Sequence, residues 1–139
     1  MSTPFQIVID CFDPHELVRF WAAAMDYEIE DNDAQVRHVL EQGWATEDDS
    51  LEIDGRLAWK SGAACRSEDG TTRLLCQLID EPTQGKNRVH LDLRVGAEQR
   101  DAEVDRLLAL GATRLWDGQQ GPLSWVTLAD PEGNEFCVA

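Results

Sequence analysis

The chain has 139 residues, room for one domain with a real core and too few for two conventional ones. Its 42% hydrophobic and 28% charged residues suit a globular protein, yet 27 acidic residues face only 12 basic ones, for a net charge of −15. Such a surface repels phosphate backbones and anionic lipid, so no nucleic-acid or membrane partner is expected.

Residues 5–12 are rich in Ile and Val and read as a strand, entered without a basic leader segment, so a cytoplasmic location is expected. No run of roughly 18 apolar residues offers a transmembrane helix. Asp13-Pro14 supplies an N-cap and a proline for the first helical turn. Leu17, Phe20, Trp21 and Ala24 then recur at helical spacing, which predicts an amphipathic helix over 14–25. Tyr27 to Glu30 is a short second strand. An insertion near 33–55 follows, with a helix over 33–42 and a second helix start at Thr46-Glu47-Asp48-Asp49. Residues 57–66 and 72–79 read as an antiparallel pair around Asp69-Gly70, and 81–88 as a polar linker.

The second half repeats this order. Residues 89–95 alternate strictly, as a strand does. A helix over 98–110 carries Val104, Leu107, Leu108 and Leu110 as its stripe and stops at Gly111. A strand over 113–116 leads to a Gly-Gln-Gln-Gly-Pro turn. The closing hairpin joins 125–129 to 136–138 through Asp130-Pro131-Glu132-Gly133-Asn134. Strand, helix, strand, strand, strand thus occurs twice.

Alternation assigns sheet faces. His90, Asp92 and Arg94 share one; Gln6, Val8 and Asp10 another; Arg73, Leu75, Gln77 and Ile79 a third; Glu135 and Cys137 the last. If these converge, they line a polar concave site. The same pattern also describes a solvated sheet face whose charges pair for a few tenths of a kcal/mol each. His90 and Asp92 lie about 6.5 Å apart along a regular strand, so no direct bond between them is expected. His15 and His38 fall on helix surfaces without a nameable partner. Trp44 and Trp59 flank the insertion and either line a pocket or pack. Cys11, Cys65, Cys76 and Cys137 form no CxxC pair and read as reduced, mostly buried thiols.

The duplicated order resembles the vicinal oxygen chelate superfamily of glyoxalases, bleomycin-resistance proteins and extradiol dioxygenases. So do Asp13-Pro14 before Arg19-Phe20-Trp21, Leu110-Gly111-Ala112, and Asp130-Pro131-Glu132-Gly133-Asn134. Lys86-Asn87-Arg88-Val89-His90-Leu91-Asp92-Leu93 is similar to its glyoxalase-like domain branch. The resemblance implies an α+β fold: two tandem βαβββ modules, over 1–82 and 87–139 of a single domain, forming a curved mixed sheet around a concave site with helices outside.

Members with chemistry hold a divalent metal on that face. By position their four ligands fall on Gln6, near Gln77, on His90 and on Cys137, with Glu135 two residues short of the last. Both metal carboxylates are thus replaced, and Gln6, His90, Glu135 and Cys137 remain the candidates for a metal. The resemblance implies a small-molecule binder, akin to resistance or sequestration proteins, anchored by Gln6, Asp10, Gln77, His90, Asp92, Arg94 and Cys137. The alternative is a metal-dependent lyase, isomerase or dioxygenase; a metal-free enzyme would use His90 as base or Cys137 as nucleophile. Catalytic residues are not assigned. A homodimer is the implied assembly.

Overall fold

A computed structural model describes residues 2–81 and 85–139. The chain is α+β and divides into two compact units, Met1–Pro82 and Thr83–Ala139. Residues 82–84 of the linker lie outside the described residues. Among the described residues no helix is long and apolar enough to cross a membrane.

The first unit runs β1 (Ile7–Cys11), α1 (Pro14–Met25), β2 (Glu28–Ile29), α2 (Asp33–Glu41), β3 (Ser50–Ile53), β4 (Arg56–Trp59), β5 (Gly62–Arg66) and β6 (Arg73–Leu78). Its sheet has the order β1-β6-β5-β2, with β1 parallel to β6 and the other pairs antiparallel. Helix α1 forms where Asp13 accepts a bond from the Glu16 N–H at 3.1 Å and Pro14 fills the first turn. Leu17, Val18, Phe20, Trp21 and Ala24 are buried on it, and it packs on β5 and β6. Its stripe meets Cys65, Leu74 and Cys76, all fully buried, so this face of the sheet is the unit's core.

Two expectations for residues 46–66 change. Residues 57–66 are not one strand. They break at Lys60-Ser61 into β4, which pairs with β3 as a separate ribbon, and β5, which pairs with β6. The ribbon turns at Asp54-Gly55, both at positive φ (51° and 79°), the signature of a two-residue hairpin loop. Thr46–Asp49 does not start a long helix. It makes one 3₁₀ turn, closed by a capping box in which the Thr46 N–H donates to Asp49 Oδ2 at 2.8 Å.

The second unit runs β7 (Asp92–Leu93), α3 (Ala97–Leu110), β8 (Thr113–Gln120), β9 (Leu123–Ala129) and β10 (Glu135–Val138). Its order, β7-β10-β9-β8 with β7 parallel to β10, repeats the first unit's topology. Val104 and Leu107 of α3 are buried with Val126, Leu128, Phe136 and Val138 of the sheet. Leu110 is exposed, so the helix stripe is narrower than its sequence suggests. Gly111, at φ 119°, ends the helix, its N–H donating to the Leu107 and Leu108 carbonyls.

The strand expected over 89–95 is regular only from residue 91. The Cys137 N–H donates to Leu91 O and the Ala139 N–H to Leu93 O, each at 2.9 Å, while residues 88 and 89 bend. The expected turn at 118–122 is shorter: Gly118 to Gln120 continue β8, and the chain reverses after them.

Candidate functional site

The register of the second sheet builds a cluster residue by residue. Cys137 on β10 lies beside Asp92 on β7 and beside Thr127 on β9. Thr127 in turn faces Trp116 on β8. Asp92, Cys137, Thr127 and Trp116 therefore form one row across four strands, with their side chains on one face. Thr127 Oγ1 sits 3.4 Å from Cys137 Sγ.

His90 lies beside this row and bonds to Asp92, a bond that strand spacing did not predict. Its Nε2 is 3.1 Å from Asp92 Oδ1. The two side chains leave the same face two residues apart, and the imidazole is long enough to lean across that gap. One donor atom each from His90, Asp92 and Cys137 lies within 4.8 Å of the others. His90 and Asp92 keep side-chain exposures of 45% and 59%, so the cluster opens to solvent. Arg94, two residues on, is exposed as well.

Glu135 shares the strand of Cys137 but is engaged elsewhere. Its carboxylate pairs with Lys86 Nζ at 3.7 Å, and Asn87 Nδ2 donates to its backbone carbonyl at 3.1 Å. Lys86 also lies over the Trp116 ring, 5.6 Å from the centroid.

The first sheet carries the other candidates. Register places Asp10 beside Gln77 and Val8 beside Leu75. Arg73 makes a bidentate pair with Glu30, Nε and Nη2 each at 2.8 Å, and donates from Nη1 to Gln6 Oε1 at 2.6 Å. The bond from Arg73 holds the Glu30 carboxyl below its usual range and raises the guanidinium's own. Gln6 is thus an acceptor for Arg73.

Beside them lies a cavity of about 460 Å³, lined by Gln35, Trp59, Ala64, Arg73, Leu75 and Gln77. The insertion supplies one wall: Trp59 Nε1 donates to Gln35 Oε1 at 3.1 Å, and Asn32 Nδ2 to the same oxygen at 3.2 Å. Trp44 is no part of this lining; it is 70% exposed and meets the His38 ring edge-on at 5.8 Å. His15 also has a partner, its Nε2 lying 2.7 Å from the Trp59 carbonyl. Cys11, Cys65 and Cys76 are buried, and burial pushes the Cys65 thiol up to about 11, with the Glu30 charge adding to it.

Three residues of these faces were not singled out as site residues by the sequence pattern. Thr127 follows from register alone. Trp116 reaches the face because a bulge between Arg114 and Trp116 shifts the strand by one residue. Lys86 lies in an irregular segment without periodicity.

Paired βαβββ units of strand order 1-4-3-2, with polar residues gathered on the sheet face away from the helix, define the architecture of the vicinal oxygen chelate class. The sequence profile of the glyoxalase-like domain matches residues 6–139, and the chain belongs to that family. Among solved structures, it is similar to a glyoxalase/bleomycin resistance/dioxygenase family enzyme from Burkholderia phytofirmans PsJN. That likeness has a TM-score of 0.64 and 14% identity, covering 96% of this chain and 94% of the other. It is similar to FosX, a fosfomycin resistance protein from Listeria monocytogenes, at TM-score 0.62 and 14% identity over 99% and 92% of the chains. A point variant of that FosX, in complex with Mn(II) and 1S,2S-dihydroxypropylphosphonic acid, matches at TM-score 0.62 and 13% identity over 99% and 89%. No curated protein sequence matches.

Proposed function

We propose that this protein binds, and in binding sequesters or processes, a small neutral or cationic organic molecule on its polar sheet faces. The reading is carried by the cavity of about 460 Å³ beside Trp59, Arg73 and Gln77. That volume suits a small organic ligand, and an aromatic wall with a few polar groups is the usual lining of such sites. Asp10, beside Gln77 on the same sheet, is a further polar anchor in this reading; His90, Asp92, Arg94 and Cys137 offer a separate polar face on the second unit.

A phosphonate of the kind bound by the FosX variant is disfavoured here. The one guanidinium in the lining, Arg73, is already neutralised by Glu30 and shared with Gln6. A net charge of −15 repels anions further. Nor do the residues fit a manganese-type ion at the family's four positions. Gln6 and Gln77 are neutral amides, Gln6 serves Arg73, and Glu135 serves Lys86. A hard octahedral ion wants carboxylates there, and Cys137 offers a thiol. No reaction step is therefore drawn through such an ion, which argues against the metal-dependent lyase, isomerase or dioxygenase built on it.

A thermal-shift panel tests the reading. At 100 times its Kd a ligand adds about 2.7 kcal/mol, a shift of several degrees in a domain this size. Neutral or cationic heteroaromatics are expected to raise Tm, and Trp59→Ala to abolish the rise. Stabilisation by fosfomycin alone, or by no compound class, would defeat the proposal. We take the working form to be a cytoplasmic homodimer. Three buried reduced thiols suit a reducing compartment, and the eight-residue edge strand β8, with Leu115 and Trp116 exposed on it and Leu123 exposed at the start of β9, suits a partner. Light scattering checks the assembly: a clean 15.6 kDa monomer would contradict it.

A further inference from the structure

We propose that His90, Asp92 and Cys137 form a three-donor site for a thiophilic divalent ion of the zinc class, within the second unit alone. The site uses Asp92, which is not one of the family's four ligand positions, and needs neither Gln6 nor Gln77.

The sheet itself presents the donors. Cys137 and Asp92 are direct partners on adjacent parallel strands, so their side chains leave the sheet side by side. His90 Nε2 lies 3.1 Å from Asp92 Oδ1. All three donor atoms already lie within 4.8 Å of one another. Ligands of a tetrahedral zinc, at bonds of 2.0–2.3 Å, stand roughly 3.3–3.7 Å apart. Small rotations of three side chains on the open face therefore close the shell, without backbone movement.

Chemistry selects the ion. A thiolate and a carboxylate balance the two positive charges, and neutral imidazole adds a borderline donor. Sulfur favours zinc or cobalt over magnesium or manganese. Thr127 Oγ1, 3.4 Å from the sulfur, stands where a second layer of hydrogen bonding supports a bound thiolate. Three protein ligands and an exposed rim leave the fourth position to water or a ligand, as in open zinc sites.

The inference stands apart from the small-molecule reading, because its donors belong to the second unit and the cavity of about 460 Å³ to the first. Titration of the metal-free, full-length protein with Co(II) tests it. One equivalent is expected to bind, with tetrahedral visible bands and a sulfur-to-cobalt charge-transfer band in the near ultraviolet. Zinc should displace the cobalt, and equimolar Mn(II) should not. Cys137→Ser is expected to abolish the charge-transfer band. Asp92→Asn should weaken Co(II) at least tenfold, and Gln6→Ala should leave its affinity unchanged. Circular dichroism of each variant verifies folding. An octahedral spectrum without the sulfur band, unchanged affinity in Asp92→Asn, or tighter binding of Mn(II) would overturn the site. Loss of affinity in Gln6→Ala would restore the family's four-point centre instead. A failed cobalt titration with an intact Trp59-dependent thermal shift would sink this site and leave the ligand reading standing.

Discussion

Asp130→Ala is expected to lower unfolding stability by about 3 kcal/mol, because it strips a buried carboxylate that organises the closing turn. Asp130 is 2% exposed. Its Oδ1 accepts from the Glu132 N–H at 2.9 Å and the Asn134 N–H at 3.0 Å, and Asn134 Nδ2 reaches Oδ2 at 2.8 Å. The backbone closes the same loop: the Asp130 N–H donates to Asn134 O, and the Gly133 N–H, at φ 88°, donates to Asp130 O. Removing the side chain leaves two backbone donors without their acceptor in a half-buried turn.

The cost extends to the site, since this turn sets the register that places Cys137 beside Asp92 and Thr127. A slip of one residue would turn the thiol to the opposite face of the sheet. Urea denaturation measures the stability loss, and the rate of Cys137 alkylation in the folded protein reports the register. Asp130→Asn retains one oxygen acceptor and should cost less than Ala. A loss below about 0.5 kcal/mol for Asp130→Ala, the range of ordinary surface substitutions, would show that the turn holds without its carboxylate.

Elements whose ends carry their own chemistry were legible in the sequence. The α1 span of 14–25 follows from Asp13-Pro14 and an unbroken 3.6-residue stripe. The closing hairpin follows from Asp130 and Gly133-Asn134 in the same way. Boundaries set by pairing were not legible. Residues 57–66 hold an apolar run with only Lys60-Ser61-Gly62 to interrupt it, and the break exists because β4 finds β3 as a partner.

The site divides along the same line. Alternation placed Cys137 and Asp92 on the faces that meet, because period two survives in regular strands. Spacing along the strand did not foresee the bond between His90 and Asp92, and the bulge at residue 115, which inverts the phase and brings Trp116 to this face, leaves no mark in the alternation. Counting along one strand cannot reveal an extra residue relative to its neighbour. Thr127 needed knowledge of what lies across the sheet, and a single sequence does not carry it; Trp59 could be named as a pocket candidate but not chosen over Trp44.

Gly118→Ala is expected to cost about 2 kcal/mol by overpacking. Gly118 on edge strand β8 faces Trp125 on β9, and the indole lies across the glycine. A Cβ built there would sit inside contact distance of Trp125 Cε2, Nε1 and Cζ2, which are ring atoms that cannot bend aside. Gly118 is not among the positive-φ residues, so its backbone is open to other amino acids and the penalty is steric. An aromatic ring laid over an edge-strand glycine is a recognised way to fill the gap in side-chain packing and pin register. Trp125 shares the face of Thr127 and Trp116, so displacing its indole also disturbs the row beside Cys137. A double-mutant cycle with Trp125→Leu separates the causes. If the clash is the cause, Leu should recover at least half the loss in the Gly118→Ala background while being destabilising by itself, a coupling of 1 kcal/mol or more in favour of the pair. Simple additivity of the two changes would mean that the glycine serves strand flexibility and that the ring above it is incidental.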